Sequence, residues 1–245
     1  MSNNMDHFPN LKAFLSNEPI DGAISRELFP LLETFFSKLS LSSTPAAPLK
    51  RWQDEKIVQT IKEGASVLDL GCGSGGLLKS LIDKKNVKAQ GVELDYQKVV
   101  ECLKKGVQVL QMDISTQMGI FNDKSYDYVI IEETLQTLVN PKEVILKTVR
   151  IGKKVIISFP NFGYWRVRLD LLVRGKMPVT SWLPFGWYDT PNIHLFTYSD
   201  FCDFAKNNSI LVEEGYALVE GQVKPLDEKT NLEAEELLLI IKGAN

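Results

Sequence analysis

The sequence predicts an α/β fold in which helices cover both faces of a mostly parallel sheet of seven strands. One observation behind this prediction is the alternation of short apolar runs with amphipathic segments over residues 52–159, which is typical of βαβ units. The other is the stretch from Val67 to Gly76, where an apolar run enters a glycine-rich turn and a helical pattern leaves it. A strand, a glycine turn and a helix in this order indicate a ligand site at the carboxyl edge of a parallel sheet.

The spacing of apolar residues places each element. Buried strands form continuous apolar runs, whereas amphipathic helices repeat every three to four residues. The predicted strands cover residues 67–70, 89–95, 107–114, 126–131, 154–159, 211–218 and 236–242. The predicted helices cover residues 52–63, a segment from Leu77, residues 98–104, a segment after Pro141 and a segment with Ser199 as N-cap. We expect the polar segment between the last two strands to be a hairpin connection.

Two regions depart from this alternation. Residues 1–50 are predicted to be an N-terminal helical extension and linker, with an amphipathic helix over residues 24–39 and a Ser/Pro-rich linker over residues 40–48. Residues 51–245 are predicted to form the main domain. The aromatic, Pro and Gly-rich residues 160–198 interrupt it as an insert that is too long for a plain loop.

Composition excludes several classes of protein. The net charge is -3 and 44% of the residues are hydrophobic, so we expect no nucleic-acid binding by overall charge. There is no apolar run long enough to cross a membrane and no signal-peptide pattern. Three widely spaced cysteines and two histidines predict reduced thiols and no metal site. We therefore expect a cytoplasmic protein that has no membrane or nucleic-acid partner.

Two ligands compete for the glycine turn. Gly71, Gly73 and Gly76 match the G-x-G-x-x-G pattern of dinucleotide sites, which indicates an NAD-binding Rossmann oxidoreductase. Asp69 precedes the glycines, and an anion there would repel a pyrophosphate. S-adenosylmethionine (SAM) has no phosphate and carries a cationic amino group, which an acid would attract. Asp69 therefore favours SAM.

Acids at the ends of the next two strands strengthen the SAM interpretation. Glu93 lies about 20 residues after the glycines, where a carboxylate can bind a ribose diol; both NAD and SAM predict this acid. Asp113 ends a third strand and is placed to accept from an adenine amino group. The three strand ends together predict a SAM site.

Longer strings give a family resemblance. From residue 66 onwards the chain resembles the methionine-biosynthesis protein MetW family, within the class I SAM-dependent methyltransferases. The general resemblance rests on residues 69–75 (DLGCGSG), residues 91–95 (GVELD) and Asp113. The narrower one rests on residues 158–168 (SFPNFGYWRVR), 174–180 (RGKMPVT) and 187–194 (WYDTPNIH).

This resemblance carries expectations of fold, cofactor and partner. It implies a Rossmann-like class I methyltransferase fold, SAM as cofactor and a role in methionine biosynthesis, where members accompany homoserine O-acyltransferases. The predicted cofactor-binding residues are Asp69, Gly71, Cys72, Gly73, Gly75, Glu93, Leu94, Asp113 and Ile114. The chain is then either an enzyme that methylates a small anionic acceptor or a partner subunit of a homoserine O-acyltransferase.

Candidate catalytic residues lie after the fourth strand and in the insert. Glu132 and Glu133 follow a strand at the edge where the methyl group would lie, so either could orient an acceptor or act as a base. The alternative is a helix-capping role. His194 in the insert could supply a polar contact or be a structural histidine.

Positive charge is concentrated in one segment. Residues 150–176 hold seven basic residues and one acid, Asp170, and so carry a net charge of +6. This excess suits an anionic substrate or an acidic protein surface. Trp165, Arg166 and Arg168 are of the residue types that anchor protein interfaces.

Overall fold

The structure is a computed structural model that describes residues 51–180 and 182–244. The helix predicted over residues 24–39 and the linker after it lie outside the described residues. Among the described residues, 165–189 belong to one compact unit, while 51–164 and 190–244 belong to a second, larger one. The smaller unit lies within the predicted insert. Each unit is described by itself below.

The larger unit is built on one sheet of eight strands. In chain order these are β1 (Ser66–Leu70), β2 (Lys88–Glu93), β3 (Gln108–Gln111), β4 (Tyr126–Glu132), β5 (Gly152–Pro160), β6 (Ile210–Val219), β7 (Gln222–Pro225) and β8 (Glu236–Gly243). Their order across the sheet is β3-β2-β1-β4-β5-β8-β6-β7. The strands β1 to β5 pair in parallel, whereas β8, β6 and β7 pair antiparallel. The predicted fold class, a mostly parallel α/β sheet, is confirmed.

The strand count is the one correction to the sheet. The seven predicted strands all form, and the eighth, β7, comes from the polar segment that was predicted as a hairpin connection. A two-residue turn joins it to β6, and both turn residues, Glu220 and Gly221, have positive φ, as tight hairpins require. All four residues of β7 are exposed. An edge strand exposed on both faces carries no hydrophobic pattern, so the sequence gives no signal for it.

Helices connect the parallel strands. The larger unit contains α1 (Trp52–Thr60), α2 (Gly76–Lys85), α3 (Tyr96–Lys104), α4 (Pro141–Ile151), α6 (Tyr198–Asn207) and the short α7 (Thr230–Glu233). The N-cap of α6 is Thr197 and not the predicted Ser199. Thr197 Oγ1 accepts from Asp200 N at 3.1 Å, and Asp200 Oδ2 accepts from Thr197 N at 2.8 Å. This reciprocal capping box starts the helix two residues early.

The two faces of the sheet bury separate apolar clusters. On one face Val129, Ile157 and Leu239 pack with the residues of α4 and α6. On the other face Val67 and Ile130 pack with Trp52 and Ile57 of α1 and with the apolar residues of α2. Burial of α1 on this second face brings its first turn to the carboxyl ends of β1 and β4.

The smaller unit contains α5 (Trp165–Arg174) and an aromatic segment after it. The Arg166 guanidinium lies 5.0 Å from the ring centre of Trp165. The rings of Trp187 and Tyr188 meet edge to face at 5.8 Å, and 79% and 77% of these two residues are exposed.

In the part of the chain that the structure describes, no helix is long and apolar enough to cross a membrane.

Candidate functional site

The glycine turn after β1 is a cradle with one open position. Gly71, Gly73 and Gly75 have φ values of +83°, +54° and +74°, a region that favours glycine. A Cβ at Gly71 would lie 2.5 Å from Thr134 Oγ1, and one at Gly75 would lie 2.9 Å from Cys102 Sγ. A Cβ at Gly73 would meet no atom within 4 Å. Gly71 and Gly75 are thus needed for packing, and Gly73 borders open space where a ligand can approach.

Glu93 joins this turn to the end of β2. Its Oε2 accepts from Gly73 N at 2.9 Å, and its Oε1 accepts from the backbone N–H groups of Leu94 and Asp95, both at 2.9 Å. The residue is 9% exposed, whereas the neighbouring Leu94 is 64% exposed. Three backbone donors therefore fix the carboxylate, with an exposed apolar side chain beside it.

The third predicted acid lies next to this strand end. Met112 N donates to Glu93 O at 3.0 Å, which places Asp113 and the buried Ile114 directly beyond the end of β2. The Asp113 Oδ1 atom accepts from Ser115 N at 2.8 Å, so the carboxylate also shapes its own turn. The structure thus brings Asp113 and Ile114 to the edge where the cofactor's adenine is predicted to lie.

Asp69 and Cys72 lie beneath the turn. Asp69 is 3% exposed, and burial raises the pKa of its carboxyl to about 7, an effect that Arg51 opposes and Asp54 and Glu93 reinforce. Burial also raises the pKa of the Cys72 thiol, so this thiol is protonated at neutral pH. Its Sγ lies 3.9 Å from the Sγ of Cys102, and both cysteines are free.

Glu132, at the end of β4, faces the start of α1. Its Oε2 accepts from Arg51 Nη2 at 2.9 Å, and its side chain is 7% exposed. Within the described residues, Glu132 Oε1 and Asp54 Oδ1 are both buried and have no hydrogen-bond partner. Burial, together with Asp54 and Asp69, raises the pKa of Glu132 to about 9 despite Arg51. Glu132 is therefore held largely protonated at neutral pH when no ligand is present.

Glu133 forms a second carboxyl pair on the same edge. It adopts positive φ, and its Oε1 accepts from Gln53 Nε2 at 3.1 Å. Gln53 Nε2 lies 3.0 Å from Glu236 Oε2, which also accepts from Trp52 Nε1 at 2.7 Å. Glu133 as a whole residue is exposed, but desolvation of its carboxyl group and the nearby Glu236 raise its pKa to about 7, and burial raises the pKa of Glu236. Among the described residues no group of His, Cys, Asp or Glu is arranged to hold a metal ion.

His194 joins the same loop through its backbone. Its N–H and that of Ile193 donate to Gln136 O at 3.0 and 2.9 Å, and Gln136 Nε2 donates to Glu133 O at 2.9 Å. His194 Nε2 and Gln136 Oε1 are buried and have no hydrogen-bond partner within the described ranges 51–180 and 182–244. The three predicted catalytic residues thus lie on or beside one loop: the Glu132 side chain contacts Arg51, the Glu133 side chain contacts Gln53, and His194 contacts Gln136 through its backbone.

The positive segment is partly neutralised. Arg150 pairs with Asp123, Lys153 Nζ lies 2.8 Å from Asp127 Oδ1, and Lys154 Nζ lies 2.7 Å from Glu213 Oε2. Lys153 and Lys154 are also at the start of β5, away from the carboxyl edge that carries the site. The three basic residues of this segment that lie in the larger unit are therefore each paired with an acid.

Sequence reasoning missed the partners that α1 supplies. Arg51 contacts Glu132 at the end of β4, and Trp52 and Gln53 contact Glu236 at the start of β8. The sequence predicted only a short leading helix at these positions. A usable signal was present in Glu235 and Glu236, two acids immediately before a strongly apolar strand. Their partners could not be identified, because they lie more than 180 residues away in the chain.

Comparison with solved structures shows the fold. The chain matches a SAM-dependent methyltransferase from Archaeoglobus fulgidus with a TM-score of 0.57 and 15% identity, covering 78% of this chain and 91% of that one. A TehB-like SAM-dependent methyltransferase from Corynebacterium glutamicum gives 0.53 and 16%, covering 87% and 97%. The fold is that of the class I SAM-dependent methyltransferases.

The family follows from the sequence match. Residues 51–241 match the family model of methionine biosynthesis protein MetW, and the chain belongs to that family. A relative, the bifunctional methionine biosynthesis protein MetXA/MetW of Rhodopirellula baltica, is 30% identical over 203 residues. The match covers 78% of this chain and about a third (33%) of that relative.

Proposed function

We propose that the protein binds SAM at the carboxyl ends of β1, β2 and β3. The observation that carries this proposal is the joint between Gly73 and Glu93. Gly73 N donates to the fixed Glu93 carboxylate at 2.9 Å, and the space at the Gly73 Cβ position is open. Glu93 would accept from the ribose hydroxyls, Asp113 and Ile114 would contact the adenine, and Asp69 would meet the amino group. Membership in a family with this fold supports SAM over the dinucleotide alternative.

We further propose that the SAM-bound protein acts in methionine biosynthesis as a partner of a homoserine O-acyltransferase. The relative from R. baltica supports this role, because its name joins MetXA and MetW in one bifunctional protein. A protein of this family that is not fused to its acyltransferase would then bind it through a surface.

The smaller unit supplies a suitable surface. Phe185, Trp187 and Tyr188 are 48%, 79% and 77% exposed, and exposed aromatic groups of this size are typical of protein interfaces. Arg166 is exposed and stacks on Trp165. Trp, Tyr and Arg are the residue types that contribute most to binding energy at interfaces. The positive charge of this unit favours an acidic face on the partner.

The test is a calorimetric titration with the homoserine O-acyltransferase of the same organism, with and without SAM. Replacing Arg166 and Arg168 by Glu should abolish docking and leave SAM binding intact. Because linkage is reciprocal, docking and SAM binding should strengthen each other by the same factor. The control variant, Lys62→Glu with Lys142→Glu, makes the same charge change at exposed positions outside the insert and should dock normally. Absence of association by the wild type with and without SAM would refute the partner role.

Methyl transfer to a small acceptor is the second candidate. The observation that favours it is Glu133, whose pKa of about 7 suits a general base at neutral pH. It lies on the loop after β4, with His194 joined to the same loop. Transfer of labelled methyl from SAM to a small acid, lost in Glu133→Gln, would establish the enzyme.

A further inference from the structure

Two side chains at the end of α3 donate to the carbonyl groups at the tip of the glycine turn. The Cys102 thiol donates to Gly73 O at 3.2 Å, and the Lys105 ammonium donates to Ser74 O at 2.6 Å. Cys102 is fully buried, whereas Lys105 is exposed. Burial raises the pKa of the Cys102 thiol, so the sulfur keeps the proton that its bond to Gly73 requires.

The end of α3 presents both donors on one face. Gly106, with a φ of +73°, ends the helix, and Val107 N donates back to Cys102 O at 3.0 Å. This is the Schellman arrangement, which favours glycine at that position. Cys102 and Lys105 are three residues apart and therefore neighbours on the helix surface. Their face packs closely on the turn, because a Cβ at Gly75 would lie 2.9 Å from Cys102 Sγ.

Gly73 is thereby held from two sides. Its N–H donates to Glu93 Oε2 at 2.9 Å, and its C=O accepts from Cys102. We propose that Cys102 and Lys105 are positioning residues, which act on cofactor binding by fixing the conformation of the turn. This inference rests on the proposed SAM site and extends it to α3. Glycine has no side chain to restrict its backbone. Without the bond to its carbonyl, Gly73 would therefore hold the Glu93 carboxylate less firmly.

Amide hydrogen exchange followed by NMR tests this positioning in the unliganded full chain. In Cys102→Ala the Gly73 N–H should exchange roughly two- to tenfold faster relative to the amides of β1, the scale of one hydrogen bond. Cys102→Ser keeps a donor and should restore the slow exchange. Val99→Ala is the packing control, because Val99 is also buried on α3. It should leave the relative exchange of Gly73 unchanged.

Calorimetric titration with S-adenosylhomocysteine gives the second readout. Cys102→Ala and Lys105→Met should each bind it roughly two- to tenfold more weakly. Cys102→Ser and Lys105→Arg keep a donor and should bind nearly as well as the wild type. Lys104→Met removes the same charge from the exposed residue next to Lys105 and should not change the affinity.

The outcomes separate positioning from packing and from the SAM site itself. Lys105→Met changes only an exposed side chain, so it tests the turn even if Cys102→Ala does not fold. Unchanged Gly73 exchange and unchanged affinity in the folded variants would overturn the proposal. Equal losses in Cys102→Ala and Cys102→Ser would also overturn it, because packing alone would then explain them. A wild type that does not bind S-adenosylhomocysteine would instead overturn the SAM site, and with it the role of α3 in cofactor binding.

Discussion

Glu93 and Glu132 end the two strands on either side of β1, yet their carboxyl groups have very different surroundings. Glu93 ends β2 and accepts three backbone N–H bonds. Glu132 ends β4 and meets one guanidinium and the carboxyl of Asp54. Both are buried at the carboxyl edge of a parallel sheet. The difference lies in the donors: backbone amides surround the first, whereas other acids crowd the second.

The two halves of the edge are therefore suited to different ligand groups. The half around Glu93 is complete without a ligand, because its backbone donors hold the acceptor in place for uncharged hydroxyl groups. The half around Glu132 has too many acids for its single guanidinium, and it takes up protons to compensate. A cationic group that enters this half would replace those protons. A nucleoside and a charged amino-acid group joined in one molecule match these two halves.

The largest effect should come from a substitution at Gly73, in the half of the edge around Glu93. Gly73→Val should abolish binding of S-adenosylhomocysteine, because a branched side chain fills the open space beside the turn and resists positive φ. Gly64→Val is the matched control, since Gly64 also has positive φ and open space around its Cβ position. Both variants should lose similar thermal stability. A Gly73→Val variant that binds as well as the wild type would remove the turn from the site.

Glu93 should give the next largest effect. Glu93→Ala should weaken binding of S-adenosylhomocysteine by about 1–3 kcal/mol, because a charge-assisted acceptor for the ribose is lost. Calorimetry measures the change. Asp95→Ala is the control: Asp95 caps α3 by accepting from Gln97 N at 2.8 Å. That variant should cost about 0.5–2 kcal/mol of stability but leave the affinity unchanged. An unchanged affinity in a folded Glu93→Ala variant would contradict the proposed ribose contact.

The half around Glu93 is also the half that the sequence predicts well. Asp69, Gly73, Glu93 and Asp113 are all close in sequence to strand ends, and parallel strands bring their carboxyl ends to one edge. Local spacing therefore suffices to place them. Their contacts with SAM stay predictions.

The half around Glu132 could be predicted only in part. Glu132 and Glu133 could be predicted because they lie at the end of β4, but Glu236 begins β8, which runs antiparallel to β5. Whether such a strand start reaches the same edge depends on the pairing of β8 with β5, a long-range choice. The contacts of Arg51 depend in turn on how α1 packs on the sheet. Neither is encoded in a local pattern.

The smallest expected effect is on the pH dependence of stability. Two carboxyls test it, those of Glu132 and Asp127, because their pKa values are shifted in opposite directions. Glu132 has a pKa of about 9 in the folded protein, against about 4.3 in an unfolded chain. Between these values the folded protein holds a proton that the unfolded chain has lost. The stabilisation is therefore complete below about pH 4 and is lost as the pH rises towards 9. Glu132→Gln should remove this contribution, so the unfolding free energy of the unliganded variant should fall less steeply between pH 6 and 8. The difference in slope is at most about 1.4 kcal/mol per pH unit.

Asp127 provides the control for this pH dependence. Its hydrogen bonds from Lys153 and Ser66 lower its pKa to about 2. Its contribution to stability is thus present above the unfolded pKa of about 3.9 and lost as the pH falls towards 2. Asp127→Asn should lower the unfolding free energy equally at pH 6, 7 and 8, leaving the slope of the wild type unchanged. Urea unfolding followed by circular dichroism at the three pH values measures both variants. If Glu132→Gln kept the wild-type slope, the Glu132 carboxyl would be ionised in the folded protein, and the contrast with Glu93 would disappear.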